Sequence, residues 1–200
     1  MAATTTRRSA ARDRLLETAA KIFYTRGIHS VPVDDVIVAA EVSRATFYRH
    51  FPGKEDLVRA YLEAEHDRIR GLVAAAAEEK PDPSKMLEIL VLGIGEEIRA
   101  PGFRGCPFIN AAAEYPDPEH PVRKVVREHR TWFRDSIAEI VAATGHPDPG
   151  AAARELTLLR DGAMVGGYLE DAGEVRESLA HAARPVLSSG VPEALVPPAS

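Results

Sequence analysis

Between Ser43 and Lys54 the chain reads Ser-Arg-Ala-Thr-Phe-Tyr-Arg-His-Phe-Pro-Gly-Lys. Two arginines, a histidine, a lysine and a tyrosine thus fall within about three helical turns. An arginine fork matches the paired acceptors of a guanine edge. Tyrosine and threonine hydroxyls and a protonated imidazole suit phosphate oxygens. A lysine opening the next helix reaches the same phosphates beside free backbone N–H groups. Ser43, Arg44, Ala45, Thr46, Tyr48, Arg49, His50 and Lys54 are therefore the candidate contacts to a DNA duplex. Val42, Phe47 and Phe51 fall on the other side and are expected to hold the segment to a core. The bland alternative is a solvated helix face.

Charge supports the polyanion reading. The formal net charge is −5, but it is unevenly spread. Residues 1–60 carry ten Lys or Arg against seven Asp or Glu, whereas 61–200 carry fifteen against twenty-three. A basic first part on an acidic remainder is expected when only the first part meets nucleic acid. The 45% hydrophobic content excludes a disordered polymer. A single cysteine, Cys106, excludes a disulfide framework and fits a reducing compartment. No signal-peptide pattern is visible, and the longest apolar run, Ile89 to Ile94, is too short to span a bilayer. A cytoplasmic protein without a membrane partner is expected.

The elements that position these residues read as helices throughout, an all-α chain. Leu15, Leu16, Ala19, Ile22 and Phe23 form one stripe, stopped by Gly27. Pro32 opens a short helix, Val33 to Ala40, with Asp34 and Asp35 favouring its first turn. Ser43 caps the next, Arg44 to His50, and Pro52-Gly53 breaks the chain. The spacing then predicts a long helix from Lys54 to Glu79 and further helices near 83–99, 105–114, 121–144, 150–171 and 174–188. The short pair joined by Glu41-Val42-Ser43 has the spacing of a helix-turn-helix. Three segments are expected: 1–54 for DNA binding, 55–190 as a helical body, and a flexible tail over 191–200.

The stretch "VDDVIVAAEVSRATFYRHFPGKEDLV", Val33 to Val58, resembles the DNA-binding domain of the TetR family of transcriptional regulators, as does the preceding "LLETAAKIFYTRGIHS". "RGCPFINAAAEYPDPEHPV", Arg104 to Val122, is similar to a segment of one branch of that family. The resemblance implies a helix-turn-helix head, a body with an effector pocket, and a homodimer. Two departures stand out. Glu41 occupies a turn position where many relatives have Gly, which we read as a turn not requiring a positive φ. Pro32-Val33 replaces a Thr or Ser near the start of the second helix, so one phosphate contact fewer is expected, or a backbone N–H in its place.

For the body, the resemblance implies a pocket for a small apolar effector. Its candidate walls are Tyr61, Met86, Leu90, Phe103, Cys106, Phe108, Ile109, His129, Trp132 and Phe133, each with plain core as the alternative. His129 is read as a surface histidine, or else as a proton donor inside the cavity. Cys106 is a small buried group or a thiol sensor. Gly162 and Gly166 interrupt a helix at about 1 kcal/mol each. Close approach of a second helix would offset that cost, so Leu158, Leu159, Gly162, Val165, Gly166 and Leu169, together with the helix near 174–188, are the candidate dimer surface, packing within one subunit being the alternative. Arg7, Arg8, Arg12 and Arg14 form a basic arm for the minor groove or a solvated terminus. The histidines lack metal-ligand spacing, and no nucleophile elbow or glycine-rich phosphate loop occurs, so no metal, cofactor or catalysis is expected. The expected function is a ligand-responsive DNA-binding regulator, most often a repressor in that family. The alternative is a helical small-molecule carrier or enzyme without DNA binding.

Overall fold

The structure, a computed structural model, describes residues 9–188; Arg7 and Arg8 of the basic arm and the tail 191–200 lie outside the described residues. The described residues form nine helices and no strand: α1 (Ala10–Arg26), α2 (Val33–Ala39), α3 (Arg44–His50), α4 (Lys54–Glu78), α5 (Pro83–Ile98), α6 (Pro107–Glu114), α7 (Pro121–Ala143), α8 (Pro149–Leu169) and α9 (Ala172–Ser188). Local chemistry sets most of the boundaries. Asp82 and Asp148 accept hydrogen bonds from Lys85 N at 3.0 Å and Ala151 N at 2.8 Å, capping α5 and α8 beside their first-turn prolines. Gly27 ends α1 at φ 86° and donates its N–H to Phe23 O at 2.9 Å.

The α2–α3 turn corrects one expectation. Glu41 sits at φ 53°, so the turn does require the left-handed region. The reason is visible in the hydrogen bonds. Glu41 N–H donates to Val38 O at 3.1 Å and Val42 N–H to Ile37 O at 3.2 Å. This pair of bonds closes a helix through a left-handed residue, normally Gly. It satisfies two carbonyls at the end of α2 and turns the chain towards Ser43.

The chain parts into two compact units. The first runs to Asp67 and takes in Pro107–Val126; the second comprises Arg68–Cys106 and the chain from Arg127 on. In the first, α1, α2 and α3 pack on one another. Its buried side chains include Leu15, Phe23, Val36, Phe47, Phe51, Leu57 and Leu62. Phe23 and Tyr61 rings lie 6.1 Å apart. The unit thus draws in α6 as well as the start of α4.

In the second unit α5, α8 and α9 pack together. Leu87, Ile137, Val141, Ala152, Ala153, Leu156 and Ala183 form its core, with Leu159 packed against it. Two glycines of α8 make this closeness possible. A Cβ on Gly166 would lie 3.2 Å from Val175, and one on Gly167 only 2.7 Å from Ile98. These glycines serve the chain's own α9 and α5. Around Gly162, by contrast, a Cβ would meet nothing within 4 Å.

The left-handed Glu41 carries a strain of about 1–2 kcal/mol that glycine would not. Part of the relief is lost to glycine's extra freedom in the unfolded chain. Glu41→Gly should therefore raise the unfolding free energy by about 0.5–1 kcal/mol in urea titration.

Candidate nucleic-acid interface

Seven residues are too few to hold a helix in water. Three devices fix α3. Ser43 Oγ accepts from Thr46 N at 3.1 Å and caps the first turn. Phe47 is fully buried and Phe51 nearly so, their rings 6.0 Å apart. Residues of α1 and its N-cap brace the far end: Arg12 lies over the Phe51 ring at 5.3 Å, and Ser9 Oγ is 3.3 Å from His50 Nε2. Arg12, offered by the sequence as part of a basic arm, is thus engaged with Phe51.

The opposite face is open. Ser43, Arg44, Ala45, Tyr48 and Arg49 are solvent-accessible, while Thr46 and His50 are half-buried. Thr46 Oγ1 joins Ser43 Oγ at 2.9 Å and is reached by Arg49 Nη2 at 3.4 Å. Tyr48 stands edge-on to Phe47 with centroids 5.1 Å apart and stays half exposed. Arg44 is held by a residue the sequence had offered only as a helix-dipole partner. Its Nη2 donates to both carboxylate oxygens of Asp34 at 2.7 Å. Val38 on α2 is an apolar side chain left 75% exposed. The structure thus brings Ser43 to His50 onto one short helix with one wet side.

Lys54 opens α4, its Nζ 3.5 Å from His29 O. Partial burial holds its ammonium below the usual lysine range, and the charge of Glu114 opposes that effect. Glu114 is the group that local sequence signals missed. Its carboxylate accepts from Ile28 N at 2.7 Å and His29 N at 2.5 Å, and lies 3.7 Å from His29 Nδ1. The last residue of α6 therefore clamps the α1–α2 loop. The adjacent Tyr115 ring lies 4.8 Å from His29 and 4.5 Å from His120. Burial, with Glu55 and Glu114 nearby, pushes its phenol up to about 12, so it stays neutral.

The candidate effector residues divide between the units. Tyr61, Phe108 and Ile109 belong to the first; Met86, Leu90, Phe103, Cys106, His129, Trp132 and Phe133 belong to the second. Tyr61, Met86, Cys106 and Phe108 are buried; Leu90, Phe103, Ile109, Trp132 and Phe133 are half-buried. His129 is 3% exposed, which corrects the surface reading. Its ring lies 5.7 Å from Trp132 and stacks on Phe133 at 6.3 Å, because it falls on the apolar side of α7. Arg160 is a second missed residue. It is buried, lies over Phe133 at 5.4 Å, and donates to Cys106 Sγ at 3.2 Å and Asp161 Oδ1 at 3.1 Å. Burial opposes its charge, but Cys106 and Asp161 outweigh burial and hold the guanidinium above its ordinary pKa.

On α8, Leu158 and Leu169 are 69% and 70% exposed, and Val165 is 48% exposed. With the open Gly162 they follow at steps of four, three and four, one face of a helix. Leu159 and Gly166 of the candidate dimer surface face their own subunit instead.

A capped, cationic second helix set against α2 in a three-helix head defines a helix-turn-helix DNA-binding protein. Residues 15–61 match the model for bacterial regulatory proteins of the tetR family, and residues 95–183 match that of the tetracyclin repressor-like C-terminal domain. The chain shares 49% identity with SCO4454, a TetR-family transcriptional regulator from Streptomyces coelicolor, at a TM-score of 0.86, covering 89% of this chain and 94% of that one. The chain belongs to the tetR family of bacterial regulatory proteins. The HTH-type transcriptional regulator TtgR of Pseudomonas putida is 32% identical over 88 residues, 44% of this chain and 42% of TtgR, so the match spans less than half of that regulator. The HTH-type regulator YjdC of Escherichia coli is 24% identical over 157 residues, 76% of this chain and 81% of YjdC. Among the described residues no helix is long and apolar enough to cross a membrane.

Removing the Glu114 clamp leaves two backbone N–H groups without their charged acceptor. Glu114→Ala should lower the unfolding free energy by roughly 2 kcal/mol, measured by urea titration followed by circular dichroism.

Proposed function

We propose that the protein is a homodimeric, ligand-responsive transcriptional regulator. It binds operator DNA through α2 and α3 and, acting as a repressor, is released when a small apolar effector occupies the 55–190 domain. The observation that carries the DNA-binding reading is the two-sidedness of α3. Phe47 is fully buried, while Arg44, Ala45, Tyr48 and Arg49 are presented to solvent. The Arg44 end of such a helix enters the major groove deepest. Arg44 then reads a base, and Tyr48, His50 and Lys54 grip phosphates.

Two features support ligand response. α4 is one uninterrupted helix from Lys54 to Glu78, passing from the first unit into the second. Glu114 ties α6 to the α1–α2 loop, and the residues flanking 107–126 belong to the second unit. An effector that prefers one arrangement of the body shifts the population of head arrangements by its differential affinity, typically about 1–3 kcal/mol. The ring cluster of His129, Trp132 and Phe133 supplies apolar surface of the kind an effector site uses.

The dimer is assigned to the exposed face of α8. Leu158, Val165 and Leu169 leave apolar area in water, and Gly162 leaves room for a partner helix. Leu158→Glu combined with Val165→Glu should convert a micromolar dimer to monomer in light scattering. Helicity should survive, since both side chains are exposed in one subunit.

The DNA reading is tested by selecting duplexes from a random pool and measuring fluorescence anisotropy across salt concentrations. Arg44→Ala should cost about 1–3 kcal/mol on the selected operator and relax one position per half-site. Lys54→Ala should weaken all duplexes alike and lower the log–log salt slope by about 0.9 for each phosphate it no longer neutralises. If the unmodified dimer retains no duplex at low salt, the carrier reading replaces this one.

A further inference from the structure

We propose that Asp34 is a specificity-determining residue for operator recognition. By occupying the Nη2 of Arg44 it withholds that cation from phosphates and yields it to a guanine edge. The inference rests on the DNA-binding reading above and concerns a residue outside the recognition helix.

The geometry is the starting point. Asp34 lies in the first turn of α2 and Arg44 opens α3. Arg44 Nη2 is 2.7 Å from both Oδ1 and Oδ2 of Asp34. A guanidinium presents two edges with paired N–H donors: Nε with Nη2, and Nη1 with Nη2. Both edges include the nitrogen that Asp34 holds. A bidentate grip on guanine O6 and N7 through either edge therefore draws on the nitrogen that Asp34 holds.

Charge separates a phosphate from a guanine as the competitor. The pair as a whole is neutral, so it adds little to attraction towards a phosphate backbone. A phosphate approaching Nη1 also meets the Asp34 carboxylate, a like charge. The pair is nevertheless easily opened, because both side chains are well exposed, 66% for Arg44 and 61% for Asp34, and exposed ion pairs contribute little. A phosphate also offers two oxygens to the fork, but it arrives as a like charge beside the Asp34 carboxylate, whereas the uncharged O6 and N7 of a guanine edge in register do not. Discrimination arises by penalising the wrong contact rather than by strengthening the right one.

The test compares Asp34→Asn, Asp34→Ala, Arg44→Ala and the double variant Asp34→Ala/Arg44→Ala on the selected operator and on a scrambled duplex, by anisotropy across salt. Asp34→Asn keeps the size of the side chain and its preference for a helix start, so a folded variant is available even if alanine unfolds; melting curves check this. Both single Asp34 variants should bind the scrambled duplex about fivefold to tenfold more tightly, with the salt slope steeper by about 0.9 per protomer. The operator-to-scrambled affinity ratio should fall by at least about threefold. In the Arg44→Ala background, removing Asp34 should change the ratio by less than about twofold, because the effect runs through Arg44. Normal operator binding with an unaltered ratio in both single variants overturns the proposal and leaves the DNA reading intact. A drop in ratio that persists without Arg44 also overturns it, since Asp34 would then act as a general repulsive charge. Failure of every variant, and of the unmodified protein, to bind any duplex removes the DNA reading and this proposal with it.

Discussion

A helix of seven residues has to be held from outside, and in this chain the hold is the burial of Phe47. With Phe51 it fixes one side of α3 in the core of the first unit. The opposite side is then necessarily wet, and Arg44, Tyr48 and Arg49 are on it. Hydrophobic burial is non-directional, so orientation comes from smaller devices. The Ser43 cap sets where the helix starts, the left-handed Glu41 sets how the chain arrives, and Arg12 and Ser9 brace the end. Each of these devices decides where the side chains that read DNA under the proposed function point.

Long-range polar contacts add a second layer. Glu114 holds the loop at Ile28 and His29 from the end of α6, and Asp34 holds Arg44 from the start of α2. The two carboxylates act differently. Glu114 is half-buried and accepts from two backbone N–H groups, so its contribution is mainly to stability and to the tie between α6 and the loop. Asp34 is exposed and pairs with a side chain that has another use, so its contribution is to choice. In the second unit, Arg160 is buried against Cys106, Asp161 and Phe133. A charge in that setting requires its partners to remain in place.

What could be read from the sequence was local. Ser43 before Arg44 and Gly27 after Arg26 are cap signals acting within a few residues, and the helices begin or end there; Asp82 before Pro83 and Asp148 before Pro149 act in the same way in the structure. The two-sidedness of α3 is legible because Phe47 and Phe51 stand four apart, with the cationic positions falling between and around them. The unread features depend on distance. Glu114 meets residues 85 and 86 positions away, and no spacing rule reaches so far. His129 looked like surface until the neighbouring rings were in place. Gly166 and Gly167 announced close packing but not whose helix approached; Val175 and Ile98 of the same chain answer that. Glu41 was local and still misread. The hydrogen bonds that close α2 demand a left-handed residue, and the glycine found there in many relatives was the available signal.

Under the proposed function the wet side of Ser43 to Lys54 is the DNA-reading surface. Hydrogen–deuterium exchange on the unmodified protein, with and without saturating selected duplex, tests it most directly. The account predicts slower exchange in peptides spanning residues 41–54, with the apolar face of α8 unchanged. Protection confined to 127–188, or no protection anywhere while the duplex remains bound, would contradict it.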